Sequence, residues 1–371
     1  MTQKGVALKD QLFNRAKVAT LAARFDAPFD GAGFTRQVMA RLPELELKAR
    51  IDWIAACFVA HLPDDFPQAV AAIRAALPAP LDPTLRDDDF GDFIYAPLGE
   101  FAVKAGLETH PALALDLLED LTQRFSMEWA IRPFLIHHAT LTQTRMQAWV
   151  AHDSYHVRRL VSEGTRPKLP WGVGIGWPVE RAVPLLDALH ADPARFVTRS
   201  VANHLNDISK SHPDLVLDLL SDWAGRAGQS ADELAWITRH ALRGMIKAGH
   251  PRALAHLGYD PAADVAASIT LNTHSLTLGE VLTLDIDITG PPGLPVIVDY
   301  VLQLHRPKGA PGQKVFKLKQ GQLDRAGRMQ VHKAQRLQAG LSTYRLHAGP
   351  QAVAVQINGV RRAEASFTLT T

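Results

Sequence analysis

Apolar residues recur at intervals of three and four from the N-terminus to about residue 265, and Ala and Leu are abundant there, which predicts helices throughout. In the run 113–121 the charged residues fall on one helical face. Pro111, Pro213 and Pro251 mark helix starts, where proline loses no needed hydrogen bond. From about residue 266 the period becomes two. In 281–288, Leu282, Leu284, Ile286 and Ile288 alternate with Thr283, Asp285 and Asp287. In 296–304, Val298, Tyr300, Leu302 and Leu304 share one face, with Ile297, Asp299, Val301 and Gln303 on the other. Further strand candidates are 314–319, 329–332, 343–347, 352–357 and 363–369, and Asn358-Gly359 is a hairpin turn signal between the last two. Seven or eight strands in about 105 residues predict a small immunoglobulin-like β-sandwich. The expected domains are 1–262 and 266–371, with 259–264 as linker.

The helical part repeats itself. Arg159, Arg199 and Arg239 stand 40 residues apart, and Glu163, Asn203 and Arg243 follow each by four. Residues i and i+4 share a helix face, so each repeat places an arginine and a second polar group together. A period near 40 predicts paired helices stacked as a HEAT-like α-solenoid. The second helices of such a stack line a concave face. A row of Arg159, Arg199, Arg239, Arg243 and Lys247, with Asn203, His204 and Asn206 between them, suits a phosphate backbone. The competing expectation is that these arginines pair with carboxylates between repeats, such as Asp153 or Asp207.

Residues 152–178 break local rules. Gly164 and Pro167 end the helix near Glu163, which leaves a carboxylate at the negative end of the helix dipole. Such violations concentrate at functional sites, although an ion pair with Arg159 one turn back would also account for it. The loop that follows is stiffened by Pro167, Pro170 and Pro178 and opened by Gly172, Gly174 and Gly176, with Trp171 and Trp177 among them. A tryptophan held between Pro170 and Gly172 points to a stacking or cation–π surface. Upstream, Ser126 is positioned to cap a helix with Glu128 in its first turn.

The 371 residues are 47% hydrophobic and 21% charged, ordinary globular values. The one cysteine, Cys57, rules out a disulfide framework and the usual cysteine-rich zinc sites. No apolar run of membrane-spanning length and no signal-peptide core are present, so a soluble cytoplasmic protein is expected. Net charge is +2, but the first 120 residues carry −6 and residues 266–371 carry +6, an asymmetry that points to a polyanion held by the later part of the chain.

Several strings are similar to the AlkC branch of the HEAT-repeat DNA glycosylases, relatives of AlkD. They are Met127-Glu128-Trp129-Ala130-Ile131-Arg132-Pro133, Arg158-Arg159-Leu160 running into Ser162-Glu163-Gly164-Thr165-Arg166-Pro167, Leu169-Pro170-Trp171-Gly172, Ser200-Val201-Ala202-Asn203-His204 and Arg239-His240-Ala241-Leu242-Arg243. The C-terminal β-domain fits too, because AlkC-type members can carry one. The resemblance implies a monofunctional DNA glycosylase of base excision repair. It would hydrolyse the N-glycosidic bond of cationic alkylated bases, chiefly N3-methyladenine, in duplex DNA. Neither metal nor organic cofactor, no membrane and no obligate protein partner is implied, and the expected place is the cytoplasm at the nucleoid. By motif position the active-site carboxylates fall on Glu128 and Glu163 and the aromatic contact on Trp171, which replaces the capping role for Glu128. Lys168 stands where many members have arginine. The expected DNA contacts are Arg159, Arg166, Lys168, Arg199, Asn203, Asn206, Arg239, Arg243 and Lys247, with Arg306, Lys308 and Lys314 in a basic loop of the β-domain that would clamp the duplex. Two rivals remain at this stage. One is a non-catalytic scaffold; the other is a metal-dependent phosphohydrolase built on His152, Asp153 and His156 or on His137 and His138.

Overall fold

The computed structural model describes residues 7–87, 89–226, 228–340 and 344–370. Up to residue 256 the regular elements are helices, with single 3-10 turns, joined by turns and by longer loops such as 165–178, and from Ala266 they are strands. The chain divides into two compact units, one of residues 1–208 with 220–241, the other of 209–219 with 242–371. The units are therefore not coextensive with the helical and β parts, since the last helices belong with the sandwich.

In the first unit the repeat seen in sequence is a repeat in space. The helix Tyr155–Gly164 packs on Arg195–Ile208, which packs on Ala231–Ala241. Each carries one arginine of the 40-residue series. Arg195–Ile208 shows how. Val197, Val201, Leu205 and Ile208, at helical spacing, are buried in the core. Ser200, His204 and Asp207, at the same spacing, are buried as well. A helix with a neighbour on each side buries a polar stripe only if that stripe finds partners, and this one does, as shown below. Ion pairs tie successive repeats: Arg158 to Asp192 at 2.6 Å, and Arg195 to Glu233. Pro111 and Pro251 sit at helix starts as expected. Cys57 is buried and its thiol is pushed up to about 11 by that burial, which leaves it inert.

Among the described residues the sandwich has eight strands: β1 Ala266–Leu271, β2 Ser275–Thr277, β3 Val281–Thr289, β4 Pro295–Leu304, β5 Gly312–Gln322, β6 Arg328–Arg336, β7 Gly349–Ile357 and β8 Val360–Thr370. One sheet runs β1-β3-β6 and the other β2-β8-β7-β4-β5, with β2 parallel to β8 and the other pairs antiparallel. Leu282, Leu284, Ile286 and Ile288 of β3 face Val298, Tyr300, Leu302 and Leu304 of β4 across one core. Asn358 and Gly359 turn the β7–β8 hairpin with φ of 47° and 78°, the left-handed pair that this turn requires.

Three details differ from the pattern. The strands β1 and β2 carry no alternation strong enough to stand out in sequence. Residues 344–347, part of the strand expected at 343–347, are not strand, and Thr343 lies outside the described residues. In β4 the second face is buried too, because Ile297 packs on Leu254 and Tyr259 from the last helical segment. Asp299 on that face is 3% exposed, and burial raises its carboxyl to about 6 against the pull of Lys317 and Lys247.

Candidate active site

The chemistry-bearing residues of the first unit converge at the C-terminal end of Tyr155–Gly164. Glu163 occupies its last turn and is 4% exposed. Its Oε1 accepts from Arg166 Nη1 at 2.5 Å, and its Oε2 accepts from the Ser200 hydroxyl at 2.6 Å, with Arg159 Nη2 at 3.6 Å. Burial acts to raise this carboxyl. The charges of Arg159 and Arg166 and the hydrogen bonds from Ser200 and Arg166 outweigh it, so Glu163 is held ionised below the usual carboxylate range. Arg166 is itself held by Asp207, with Nη2 at 2.9 Å. The stripe Ser200, His204 and Asp207 thus spends all three side chains on the preceding repeat, since His204 Nδ1 lies 3.0 Å from the Ser162 carbonyl.

Glu128 is joined to Glu163 through a shared cation. Arg159 Nη1 donates to Glu128 Oε2 at 2.7 Å and to Ser126 Oγ at 2.7 Å, and Ser126 donates to the same carboxylate oxygen at 3.0 Å. The guanidinium rests on the Phe196 ring, 4.7 Å from its centroid. Both bonds to this carboxylate fall on Oε2, and among the described residues none reaches Oε1. The helix that follows, Ile131–His137, has Ala130 at its cap position. The Ser126 cap expected from sequence does not form, because the hydroxyl is taken by Glu128 and Arg159.

The loop after Glu163 is pinned through its carbonyls. Arg132, fully buried, donates from Nη1 to the carbonyls of Gly164 and Arg166 at 2.8 and 2.9 Å, and from Nε to Val173 at 2.5 Å. Burial, with the charge of Arg166, lowers its guanidinium to about 10, which leaves it protonated at neutral pH. Trp129 Nε1 donates to Pro170 at 3.0 Å and Lys48 to Trp171 at 2.9 Å. A proline-rich loop offers few backbone partners, and these side chains replace them. A Cβ at Gly172 would come within 2.9 Å of Arg132 Cδ, so the glycine is needed for this approach. Trp171 is 51% exposed at φ +65°, a strained conformation for a bulky residue, and lies against Trp129 with ring centroids 5.5 Å apart and planes tilted by 30°. Trp177, by contrast, is half-buried and donates to the Leu135 carbonyl at 3.0 Å.

The expected DNA contacts divide by environment. Arg159 and Arg166 serve the carboxylates just described. Arg199 is paired with Asp87, and Asn203 Oδ1 lies 2.9 Å from His240 Nε2. Pairing with carboxylates, the competing expectation for the arginine row, is thus what Arg159 and Arg199 do, though with Glu128 and Asp87. Asn206 is buried. Lys168 and Arg239 are exposed in the first unit; Arg243, Lys247, Arg306 and Lys308 are exposed and Lys314 half-buried in the second. Ser200 and Arg132 were not singled out by sequence. Their partners lie 32 to 41 residues away along the chain, and only the 40-residue period hinted at Ser200. Among the described residues no three His, Cys, Asp or Glu side chains are grouped so that they could hold a metal ion. His152 Nδ1 accepts from the Ser154 amide and its Nε2 faces Glu119, while His156 is buried against Tyr155 and Phe196. Among the described residues no helix is long and apolar enough to cross a membrane.

The family described as "Uncharacterised protein YhaZ, C-terminal Ig-like domain" matches residues 265–371. The "Uncharacterized protein YhaZ" of Bacillus subtilis (strain 168) is 31% identical over 323 residues, 85% of each chain. The solved structure of the Pseudomonas fluorescens alkylpurine DNA glycosylase AlkC, bound to DNA containing an abasic site analog, is similar over 99% of this chain and 100% of its own, with 32% identity and a TM-score of 0.86. Likeness of that extent, over both the helical repeats and the sandwich, means that the chain belongs to the AlkC-type family of HEAT-repeat DNA alkylation-repair glycosylases with a C-terminal immunoglobulin-like domain.

Proposed function

We propose that the protein is a monofunctional glycosylase that removes cationic alkylated bases, chiefly N3-methyladenine, from duplex DNA. The observation that carries this is the pair of carboxylates, Glu128 and Glu163, held by one arginine in a chain of this family. An alkylated N3 places a positive charge on the purine. When the C1′–N bond breaks, the bond pair goes to the base, which leaves neutral and needs no strong acid. The deoxyribose passes through an oxocarbenium-like state, as in glycoside hydrolysis. Water then adds at C1′ and gives up a proton, leaving an abasic site.

Negative charge near C1′ and an oriented water are the requirements. Glu163, ionised and locked by Ser200 and Arg166, supplies a fixed negative charge whose orientation costs nothing at the moment of reaction. Glu128, bonded through Oε2 alone, complements the cationic base. Trp171 presents its exposed indole face to the base or sugar. Lys168, Arg239, Arg243 and Lys247 contact phosphates, and Arg306, Lys308 and Lys314 hold the duplex from the sandwich. Nucleoid association in the cytoplasm follows from such a substrate. The test is release of N3-methyladenine from methylated duplex DNA in EDTA, wild type beside Glu163→Gln. Release by the wild type alone supports the reading. Release by neither, with DNA binding intact, leaves a scaffold.

A further inference from the structure

Phe196 stands in the first turn of Arg195–Ile208, one repeat beyond the carboxylate pair, and is 5% exposed. Three rings meet it edge-on. Phe90 lies at 5.3 Å between centroids and 80° between planes, Tyr155 at 5.9 Å and 83°, and His156 at 5.5 Å and 68°. The Phe196 amide donates to the Arg86 carbonyl at 3.0 Å. A ring fixed in this way presents its face in a set place, and the Arg159 guanidinium lies over it, 4.7 Å from the centroid.

The two carboxylates share Arg159 unequally. Nη1 reaches Glu128 and Ser126 at 2.7 Å each, whereas Nη2 stands 3.6 Å from Glu163. Two short bonds draw the cation toward Glu128 and one long contact reaches Glu163, so hydrogen bonding alone does not fix it between them. The ring supplies the missing constraint. A guanidinium donates in its own plane and not through its faces, so an aromatic face can hold it and keep water off without competing for those bonds. We propose that Phe196 is a positioning residue of the reaction, whose ring fixes Arg159 between Glu128 and Glu163 and so keeps both carboxylates in their working places. The proposal deepens, and rests on, the reading of that pair as the reacting carboxylates. Without the ring the guanidinium follows its short bonds to Glu128 and Ser126, and Glu163 loses part of the charge that holds it ionised. The other groups that act on Glu163 stay: Arg166 and Ser200 bonded to it, Arg132 and His204 near it, and Asp207 through Arg166.

The experiment uses the full chain with isotope-labelled glutamate carboxyl groups, the Glu163 signal being assigned by its absence in Glu163→Gln. Phe196→Leu fills most of the volume without a ring, and Phe196→Tyr keeps the ring. The Glu163 titration should move up in pH in Phe196→Leu and return in Phe196→Tyr. Single-turnover excision of N3-methyladenine by Phe196→Leu should fall by about ten-fold or more at unchanged DNA affinity, its acid limb moving up with the carboxyl, and should recover in Phe196→Tyr. A folded Phe196→Leu, checked by circular dichroism, that leaves either the Glu163 titration or the excision rate at the wild-type value overturns the proposal. If Phe196→Leu does not fold, Phe90→Ala takes its place, because Phe90 is 53% exposed and supports the ring from outside. Both readouts should then shift in the same direction by less, and a folded Phe90→Ala that moves neither overturns the proposal. Failure of the wild type to release the base removes the glycosylase reading, and the titration alone then decides whether the ring holds the cation.

Discussion

The segment 155–173 and the basic loop 305–314 both concentrate charge, and they use it in opposite ways. In the first, Glu163, Arg159 and Arg166, with Asp207 of the next repeat against them, are buried or nearly so, and each group is bonded to the next. In the second, Arg306 and Lys308 are exposed. Buried charges keep a fixed geometry because leaving any one unpaired is expensive. Exposed charges keep mobility and act through long-range, salt-screened attraction. The first arrangement suits bond cleavage, where orientation decides the rate, and the second suits holding a polyanion whose sequence does not matter.

The largest expected effect breaks the buried side of this comparison. Glu163→Gln should lower single-turnover excision of N3-methyladenine by about 10²-fold or more, with DNA binding retained in a gel-shift titration. Near-wild-type excision would remove Glu163 from the chemistry.

Acid should come next. His156 and His204 are buried, and burial lowers both from 6.5 to about 4. Between those values the unfolded chain binds protons that the folded chain does not, so stability falls as pH drops from 6.5 toward 4, by about 3 kcal/mol for each histidine. The depressed Glu163 acts in the same direction below the usual carboxylate range. Thermal melts from pH 7 to 4 should show this loss, and His156→Phe should flatten it. A flat melting temperature across that interval would contradict the burial of both rings.

Ser200→Ala is smaller. It removes a 2.6 Å donor from Glu163, at a cost of about 1.5–3 kcal/mol. Excision should fall by roughly ten-fold or more with the fold intact, while Ser200→Thr, which keeps the hydroxyl, should recover part of it. The smallest effect lies on the exposed side. Replacing Arg306, Lys308 and Lys314 by alanine should leave the single-turnover plateau unchanged and weaken DNA binding uniformly across sequences. Each lost phosphate contact should flatten the salt dependence of binding by about 0.9 in the log–log slope. An unchanged slope would detach the loop from DNA.

The arginine series shows how far sequence carries and where it stops. The 40-residue spacing of Arg159, Arg199 and Arg239 identified a real stack of helices. It did not say what each arginine would meet, and two of the three met carboxylates, one of them Asp87, 112 residues away. The rule-breaking Glu163, the stiff loop and the exposed Trp171 were legible because violations of capping and turn preferences are local. Ser126 was misread as a cap for the complementary reason: its partner Arg159 is 33 residues distant. Alternation placed Asp299 on the second face of its strand without saying what lies against it, and it is buried there, because alternation separates the two faces of a strand and does not report what covers each.

Period and composition therefore determined the helical repeats, the sandwich and the residues of the Tyr155–Gly164 helix end, since each rests on interactions within a few residues of chain. Tertiary structure decided that Arg132 holds the loop carbonyls, that Ser200 orders Glu163, and that Glu128 is bonded through one oxygen while Glu163 is bonded through both. Those outcomes turn on which distant groups are buried together, and a buried polar group takes whatever partner the fold brings within hydrogen-bond reach.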